Sequence, residues 1–340
     1  MKNDLVHDNN NQEEQSELFE HHRIIVDKGQ GLLRIDKFLS ARLENTSRSK
    51  IQAAADADCI LVNNKAVKSS YKVKGGDIVS LLLPHPVREF EILPEEISLD
   101  IVYEDKSVIV VNKHAGMVVH PGFGNFTGTL QNALLFYFQK QDKDAYPYLV
   151  HRIDKDTSGL LIVAKNEFAQ AKLSKQFFDH SIERKYLALV WGDVTEDEGT
   201  ISGHIGRSLS NRKVMAVFPD GEYGKHAVSH FRVLERFRYV TLVECQLETG
   251  RTHQIRAHFK YIGHPLFSDE IYGGHLILKG TTFAKYKQFV ENCFQILSRQ
   301  ALHAYQLGFI HPETNDKYFF ELTVPTDMEQ VITKWRNYTS

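Results

Sequence analysis

Apolar residues at Leu32, Leu33, Ile35, Phe38, Leu39 and Leu43 recur at helical spacing and predict an amphipathic helix early in the chain. After Asn45-Thr46-Ser47 a second helix is expected over 48–57, with Ser47 as N-cap because its hydroxyl can accept an orphan backbone N–H. The pattern then changes. Ile60-Leu61-Val62, a turn at Asn63-Asn64, and Gly75-Gly76-Asp77 leading into the apolar run 78–83 predict a β-rich half. Further along, 101–105 and 108–113 read as a hairpin, 130–138 and 166–178 as helices, and 160–164, 186–191 and 239–247 as strands. Phe283, Tyr286, Phe289, Val290, Cys293, Phe294 and Leu297 line one face of a further helix, and such aromatics belong in a core. Strands and helices mix without βαβ regularity. The expected fold class is α+β, with a central mixed, mainly antiparallel sheet flanked by helices.

At 340 residues and 42% hydrophobic positions, the chain suits two domains, one small and one large. Residues 1–22, rich in Asn, Gln and Glu, read as a disordered acidic tail. Residues 23–84 form a compact module, 85–98 a linker opened by Pro84-His85-Pro86, 99–328 the large domain, and 329–340 a C-terminal tail. The net charge of −2 looks wrong for a nucleic-acid partner, but its distribution changes the picture. Residues 1–22 carry one lysine against six acids, whereas 23–84 carry eleven Lys/Arg against six Asp/Glu, a local +5. A local surplus of that kind releases phosphate counterions, although modest basic patches also occur on proteins that bind no RNA. Cys59, Cys245 and Cys293 lie far apart, which fits a reducing cytoplasm. The polar start shows no secretory pattern, and no apolar run reaches membrane-spanning length, so no membrane role is expected.

Residues 151–159, His-Arg-Ile-Asp-Lys-Asp-Thr-Ser-Gly, run into the apolar strand 160–164. A carboxylate, Asp154, between Arg152 and Lys155 at the mouth of a buried strand is how a reactive acid is presented from a rigid scaffold. The alternative is a surface turn whose charges pair with each other. It is not a kinase loop, because Ile153 separates Arg152 from Asp154 and no kinase glycine loop exists. In 249–259, Thr252 can cap a helix that Gly263 stops, with Ile255, Phe259 and Ile262 as its buried stripe. Arg256 then falls near the first turn, where the helix dipole disfavours a cation, so a nearby anion is expected. The glycines at 122–128 fit neither a dinucleotide fingerprint nor a phosphate loop. His226 and His230 share a strand face without a third metal ligand in view.

HRIDKDTSG at 151–159 resembles the HRLDxxTSG signature of the pseudouridine synthases that modify ribosomal RNA, in the large-subunit branch carrying an S4 RNA-binding domain. TGRTHQIRAHF at 249–259, RKYLALV at 184–190, NKHAGMVVHPG at 112–122, GHPLFSDEIYGG at 263–274 and RQALHAYQLGFIHP at 299–312 follow in that family's pattern. RIDKFL, SRSKIQ, VNNKAV and KVKGGDIV at 34–79 resemble the S4 domain, a small α/β module. Departures are Asp58, Asn64 and Ser268 where glycine is usual, and His114 for proline.

The resemblance implies isomerisation of uridine to pseudouridine in RNA by base flipping, without metal or organic cofactor. The partner it implies is 23S-type ribosomal RNA or the assembling large subunit, with the protein acting as a cytoplasmic monomer. Asp154 takes the catalytic place, Arg256 pairs with it, Tyr186 stacks on the base and moves a proton, and Arg152 with His151 serves base flipping. Without the resemblance, Tyr186 reads as a core aromatic. Arg34, Arg48, Lys50 and Lys65 are the expected S4 phosphate contacts, or else solvated surface charges. The alternatives are a transfer-RNA pseudouridine synthase and an RNA-binding protein with an inert synthase domain.

Overall fold

The computed structural model describes residues 19–43, 46, 48–83, 92–122, 124–211 and 214–339. The expected N-cap at Ser47, most of the acidic tail and the first part of the linker lie outside those residues. The chain divides into two compact units at residues 91 and 92.

The first unit runs β1 (Phe19–Ile25), β2 (Leu33–Arg34), α1 (Ile35–Ser40), α2 (Arg48–Asp56), β3 (Ile60–Val62), β4 (Lys65–Ala66), β5 (Lys72–Val73) and β6 (Ile78–Leu83). Its main sheet, in the order β1-β6-β3-β4, is antiparallel throughout. Ile35, Phe38, Leu39, Ile51, Ala55, Ile60 and Val73 form the core between sheet and helices. The first helix is shorter than its periodicity suggested, because Leu33 and Arg34 pair with β5 instead. β1 begins at Phe19, inside the stretch read as a disordered tail; pairing with β6 satisfies a backbone that composition alone marked as unfolded. Asp58 exits α2 at φ 55° and Asn63-Asn64 turn at 50° and 65°, so short polar side chains adopt the left-handed backbone that glycine usually supplies.

The second unit comprises β7 (Ile101–Glu104), β8 (Val108–Lys113), α3 (Leu130–Gln139), β9 (Tyr148–Leu149), β10 (Ser158–Ala164), α4 (Glu167–Phe178), β11 (Glu183–Trp191), β12 (Glu198–Arg207), β13 (Met215–Phe218), β14 (Lys225–Arg236), β15 (Val240–Leu247), α5 (Gln254–Tyr261), α6 (Ala284–Ile296), β16 (Leu302–Ile310), β17 (Lys317–Glu321) and α7 (Thr326–Thr339). One sheet runs β13-β12-β14-β15-β11-β16-β10-β8-β7, with β17 added to β16 and β9 to β10. Every pairing in it is antiparallel except β10 with β16, which are parallel where Ser158 meets His303 and Gly159 meets Ala304. Gly159 sits there at φ +116°, and a Cβ on it would overlap the Ala304 carbonyl. The glycine therefore lets β10 seat beside β16 and fixes where the turn before β10 emerges.

This unit reaches back into the expected linker. Asn132, which closes a capping box with Thr129 at the start of α3, donates to the Leu93 carbonyl at 2.7 Å. The far end is a second correction. Of residues 329–340, read as a tail, 329–339 form most of α7, and Met328, Val331, Ile332 and Trp335 bury its inner face against α6 and the core around Trp191. Trp335 packs edge-on to Phe289, with ring centroids 4.8 Å apart. No helix among the described residues is long and apolar enough to cross a membrane.

Trp335 is fully buried, so Trp335→Ala should cost about 3–5 kcal/mol of stability. Urea unfolding read by circular dichroism measures this. A loss below about 1 kcal/mol would make α7 a detachable tail after all.

Candidate active site

The turn before β10 carries Asp154, and it is anchored by Lys113, Arg299 and Gln300. Lys113 at the end of β8 is buried, and its Nζ donates to the carbonyls of His114 at 2.7 Å, Met117 at 2.8 Å and Lys155 at 2.9 Å. Burial pushes the Lys113 amine down to about 7. Arg299 donates to the Asp156 carbonyl at 3.1 Å, and Gln300 to the Thr157 hydroxyl at 3.2 Å. A loop tied in this way holds its acid in one place.

Arg256 supplies the partner. It lies in the first turn of α5, whose N-cap is His253 at φ 54° with no side-chain cap, not Thr252 as its type suggested. Gln254 ties down the approach to the helix, since its Oε1 accepts from the Arg251 N–H at 3.0 Å and from the Thr249 hydroxyl at 2.7 Å. The Arg256 guanidinium then uses three nitrogens on two acids. Nε and Nη2 donate to the fully buried Asp269 at 2.7 and 2.9 Å, and Nη1 donates to Asp154 at 3.0 Å. Tyr272 braces this array: its N–H donates to Asp269 at 3.1 Å and its ring faces the guanidinium at 5.0 Å. Burial works against the Arg256 charge, but Asp269 and then Asp154 outweigh it and raise the pKa further. His253 Nε2 stands 4.0 Å from Asp154, with Nδ1 3.1 Å from the Tyr272 hydroxyl. Burial lowers the His253 pKa, so the ring beside Asp154 is neutral at pH 7.

Tyr186 sits on β11, opposite Cys245 of β15 and Ala304 of β16, and is 6% exposed. Burial raises its pKa, so the phenol keeps its proton. Asp154, Tyr186 and Arg256 line one open cleft, together with the buried apolar Ile153, Leu247 and Leu302. Arg152, Arg184 and Arg251 face it too, making it strongly cationic, and it shares Arg152, Asp154 and Arg256 with an adjoining hollow that includes His120 and Lys155. A small apolar lining, one oriented carboxylate and a cationic wall suit a planar base carried on a phosphate backbone.

Three expected catalytic residues thus come together, and Arg152 joins them from an exposed position on the same turn. His151 does not. Its Nε2 accepts the Ile162 N–H at 3.0 Å, its ring stacks on Phe177 at 4.6 Å, and it lines neither hollow. In the first unit Arg34 and Arg48 are each bound through Nε and Nη2 to the fully buried Asp36, at 2.9–3.1 Å. Arg34 foremost holds the Asp36 carboxyl far below the usual carboxylate range. Both arginines remain partly exposed, and Lys50 and Lys65 are exposed. Asp36 and Asp269 escaped the sequence reading. The signal for Asp36 was a charge between apolar helix positions, and for Asp269 a charge inside the 263–274 motif.

Residues 107–261 match the family described as RNA pseudouridylate synthase, and 33–79 match the S4 domain. The chain is 46% identical over 317 residues to an uncharacterized RNA pseudouridine synthase of Chlorobaculum parvum, covering 92% of this chain and 96% of that protein. It is 40% identical over 307 residues to the ribosomal large subunit pseudouridine synthase D of Zymomonas mobilis, covering 87% and 92%. The solved structure of human RNA Pseudouridylate Synthase Domain Containing 4 has the same fold, with a TM-score of 0.54 at 22% identity over 70% of this chain and 93% of that one.

The inward placement of His151 has a pH signature. Burial, with the Arg184 charge beside it, pushes the imidazole down to about 3, whereas in the unfolded chain it titrates near 6.5. The stability contributed by the neutral ring is complete above about pH 6.5 and lost as pH falls from there toward 3, by up to ~1.4 kcal/mol per pH unit. His258 and His303, both pushed down to about 4 by burial, act in the same direction. His151→Phe should reduce the slope between pH 6.5 and 4.5 by about one proton. Both tryptophans lie in the second unit, so their fluorescence during urea unfolding reads it; an unchanged slope would contradict a neutral, inward His151.

Proposed function

The chain belongs to the RNA pseudouridine synthases that carry an S4 domain, and from that premise we propose that Asp154 is the carboxylate that isomerises specific uridines in large-subunit ribosomal RNA. The observation that carries this reading is the 3.0 Å pairing of Asp154 with Arg256 in the cleft that also holds Tyr186. The reaction breaks the C1′–N1 bond, turns the uracil, joins C5 to C1′, and exchanges the hydrogen lost from C5 for a proton taken up on N1. A stacked helix hides those atoms, so the nucleotide must swing out. Arg152, exposed on the turn that bears Asp154, is sited to fill the space it leaves. Arg256, fixed by Asp269, aims Asp154 at the sugar–base junction. The protonated Tyr186 lies against the base and exchanges a proton during the C5 step.

The choice of ribosomal RNA rests on relatives named for the large subunit and on the S4 domain. On this reading the enzyme acts as a cytoplasmic monomer. In the S4 unit, Arg34 and Arg48 keep one guanidinium edge clear of Asp36, and these edges, with Lys50 and Lys65, meet phosphates.

Asp154→Asn should stop tritium release from RNA labelled at uridine C5 by more than about a thousandfold, roughly 4 kcal/mol in the barrier. RNA affinity should change little, since the shape is kept. Turnover within about tenfold of wild type would remove Asp154 from the chemistry. Pseudouridine mapping in a deletion strain tests the substrate: lost sites in large-subunit RNA support this reading, and loss confined to transfer RNA overturns it.

A further inference from the structure

Arg184 precedes Tyr186 by two positions on β11, so both side chains point to one face and line the same cleft. The residue is only 8% exposed, and its Nε is buried without a hydrogen-bond partner. Its neighbours in the strand are paired, Glu183 with Lys317 at 2.7 Å and Lys185 with Glu244 at 3.2 Å. Among the described residues no carboxylate comes within 4.0 Å of the Arg184 guanidinium. Asp154, which faces the same space, is held by Arg256.

The rest of the setting is built and apolar. The guanidinium carbon lies 5.2 Å from the centre of the Phe177 ring, which also stacks with neutral His151. A Cβ on Gly250 would approach Nη1 to 3.0 Å, so the glycine leaves room for the arginine tip. Gly250 is exposed, so that tip lies beside the solvent-facing rim of the cleft.

A buried cation without a counter-charge is destabilising, and arginine cannot relieve the cost by losing its proton. The missing anion must then arrive with the ligand. Given an RNA substrate, the permanent anion it brings to a cleft mouth is a phosphodiester. We propose that Arg184 is the phosphate receptor of the cleft, binding the phosphodiester next to the nucleotide whose base enters beside Tyr186. The rival role, stabilising charge that develops on the uracil as its glycosidic bond breaks, calls for a cation against the ring and not at the rim. It also has a different kinetic signature, because it acts only in the transition state.

The proposal rests on the reading above, and the experiment separates the two. The full chain and its Arg184→Met and Arg184→Lys variants are assayed on an RNA stem-loop containing one modified uridine. The stem-loop is made with natural linkages, or with one uncharged methylphosphonate on the 5′ or the 3′ side of that uridine. Arg184→Met should raise KM roughly ten- to a hundredfold with kcat within about threefold, since one charged hydrogen-bonded contact to the ground state is lost. Arg184→Lys should recover part of the loss by restoring charge. One of the two uncharged linkages should raise the KM of wild type by a similar factor and leave that of Arg184→Met unchanged. The melting temperature of Arg184→Met should equal or exceed that of wild type, because an unpaired buried charge has gone.

A fall in kcat at unchanged KM would assign Arg184 to the base and overturn the proposal. So would equal sensitivity of both proteins to each uncharged linkage, or a lower melting temperature with normal KM. If wild type releases no tritium from any RNA, the proposed activity has failed. Equilibrium binding of the same RNAs then reads Arg184 independently, through the same pattern in Kd.

Discussion

One guanidinium organises the catalytic unit. Arg256 spends two nitrogens on Asp269 and one on Asp154, so a single planar group joins the start of α5, the loop after it and a turn 102 residues earlier. A fork of this geometry fixes direction as well as charge, which a lysine would not. Asp269 is wholly buried and Arg256 nearly so, and removing the arginine would strand the Asp269 carboxylate in the interior. The helix dipole, which opposes a cation in the first turn of α5, is answered by the same two carboxylates. Orientation of Asp154 is thereby set by folding, before any ligand arrives.

The sheet makes this convergence possible. β10 and β16 meet in parallel only because Gly159 lacks a Cβ, and that contact sets the turn bearing Asp154 beside β11, which bears Tyr186 and Arg184. Lys113 then fastens the turn to β8 through the Lys155 carbonyl. Around this frame the cleft gathers four arginines and one acid, a local field unrelated to the net charge of −2.

Much of this was legible in the sequence because motifs record residues that converge on one place. Asp154, Tyr186 and Arg256 lie in three separate motifs and meet in one cleft, and the α+β sheet is the one the apolar pattern implies. The misses share a physical cause, since they depend on what lies opposite in space. The apolar spacing of Met328, Val331, Ile332 and Trp335 was present, but only the facing α6 shows that it is buried. His151 reads as an RNA contact from its place beside Arg152, whereas Phe177 and the Ile162 N–H draw it inward. Asp36 and Asp269 are invisible as anchors until the arginines they hold are seen around them. His253 as N-cap has no side-chain signature, because its left-handed backbone does the work.

The direct test of a carboxylate oriented by Arg256 is to loosen Arg256 from behind, without touching Asp154 or the cleft wall. Asp269→Asn removes the charge that anchors the far edge of the guanidinium and leaves the Asp154 contact free to wander. Turnover of C5-tritiated RNA is measured over a range of RNA concentrations. A fall in kcat of at least about tenfold with KM within about threefold is expected, since orientation matters in the transition state more than in binding. An unchanged kcat in a folded Asp269→Asn protein would show that Asp154 does not depend on this clamp.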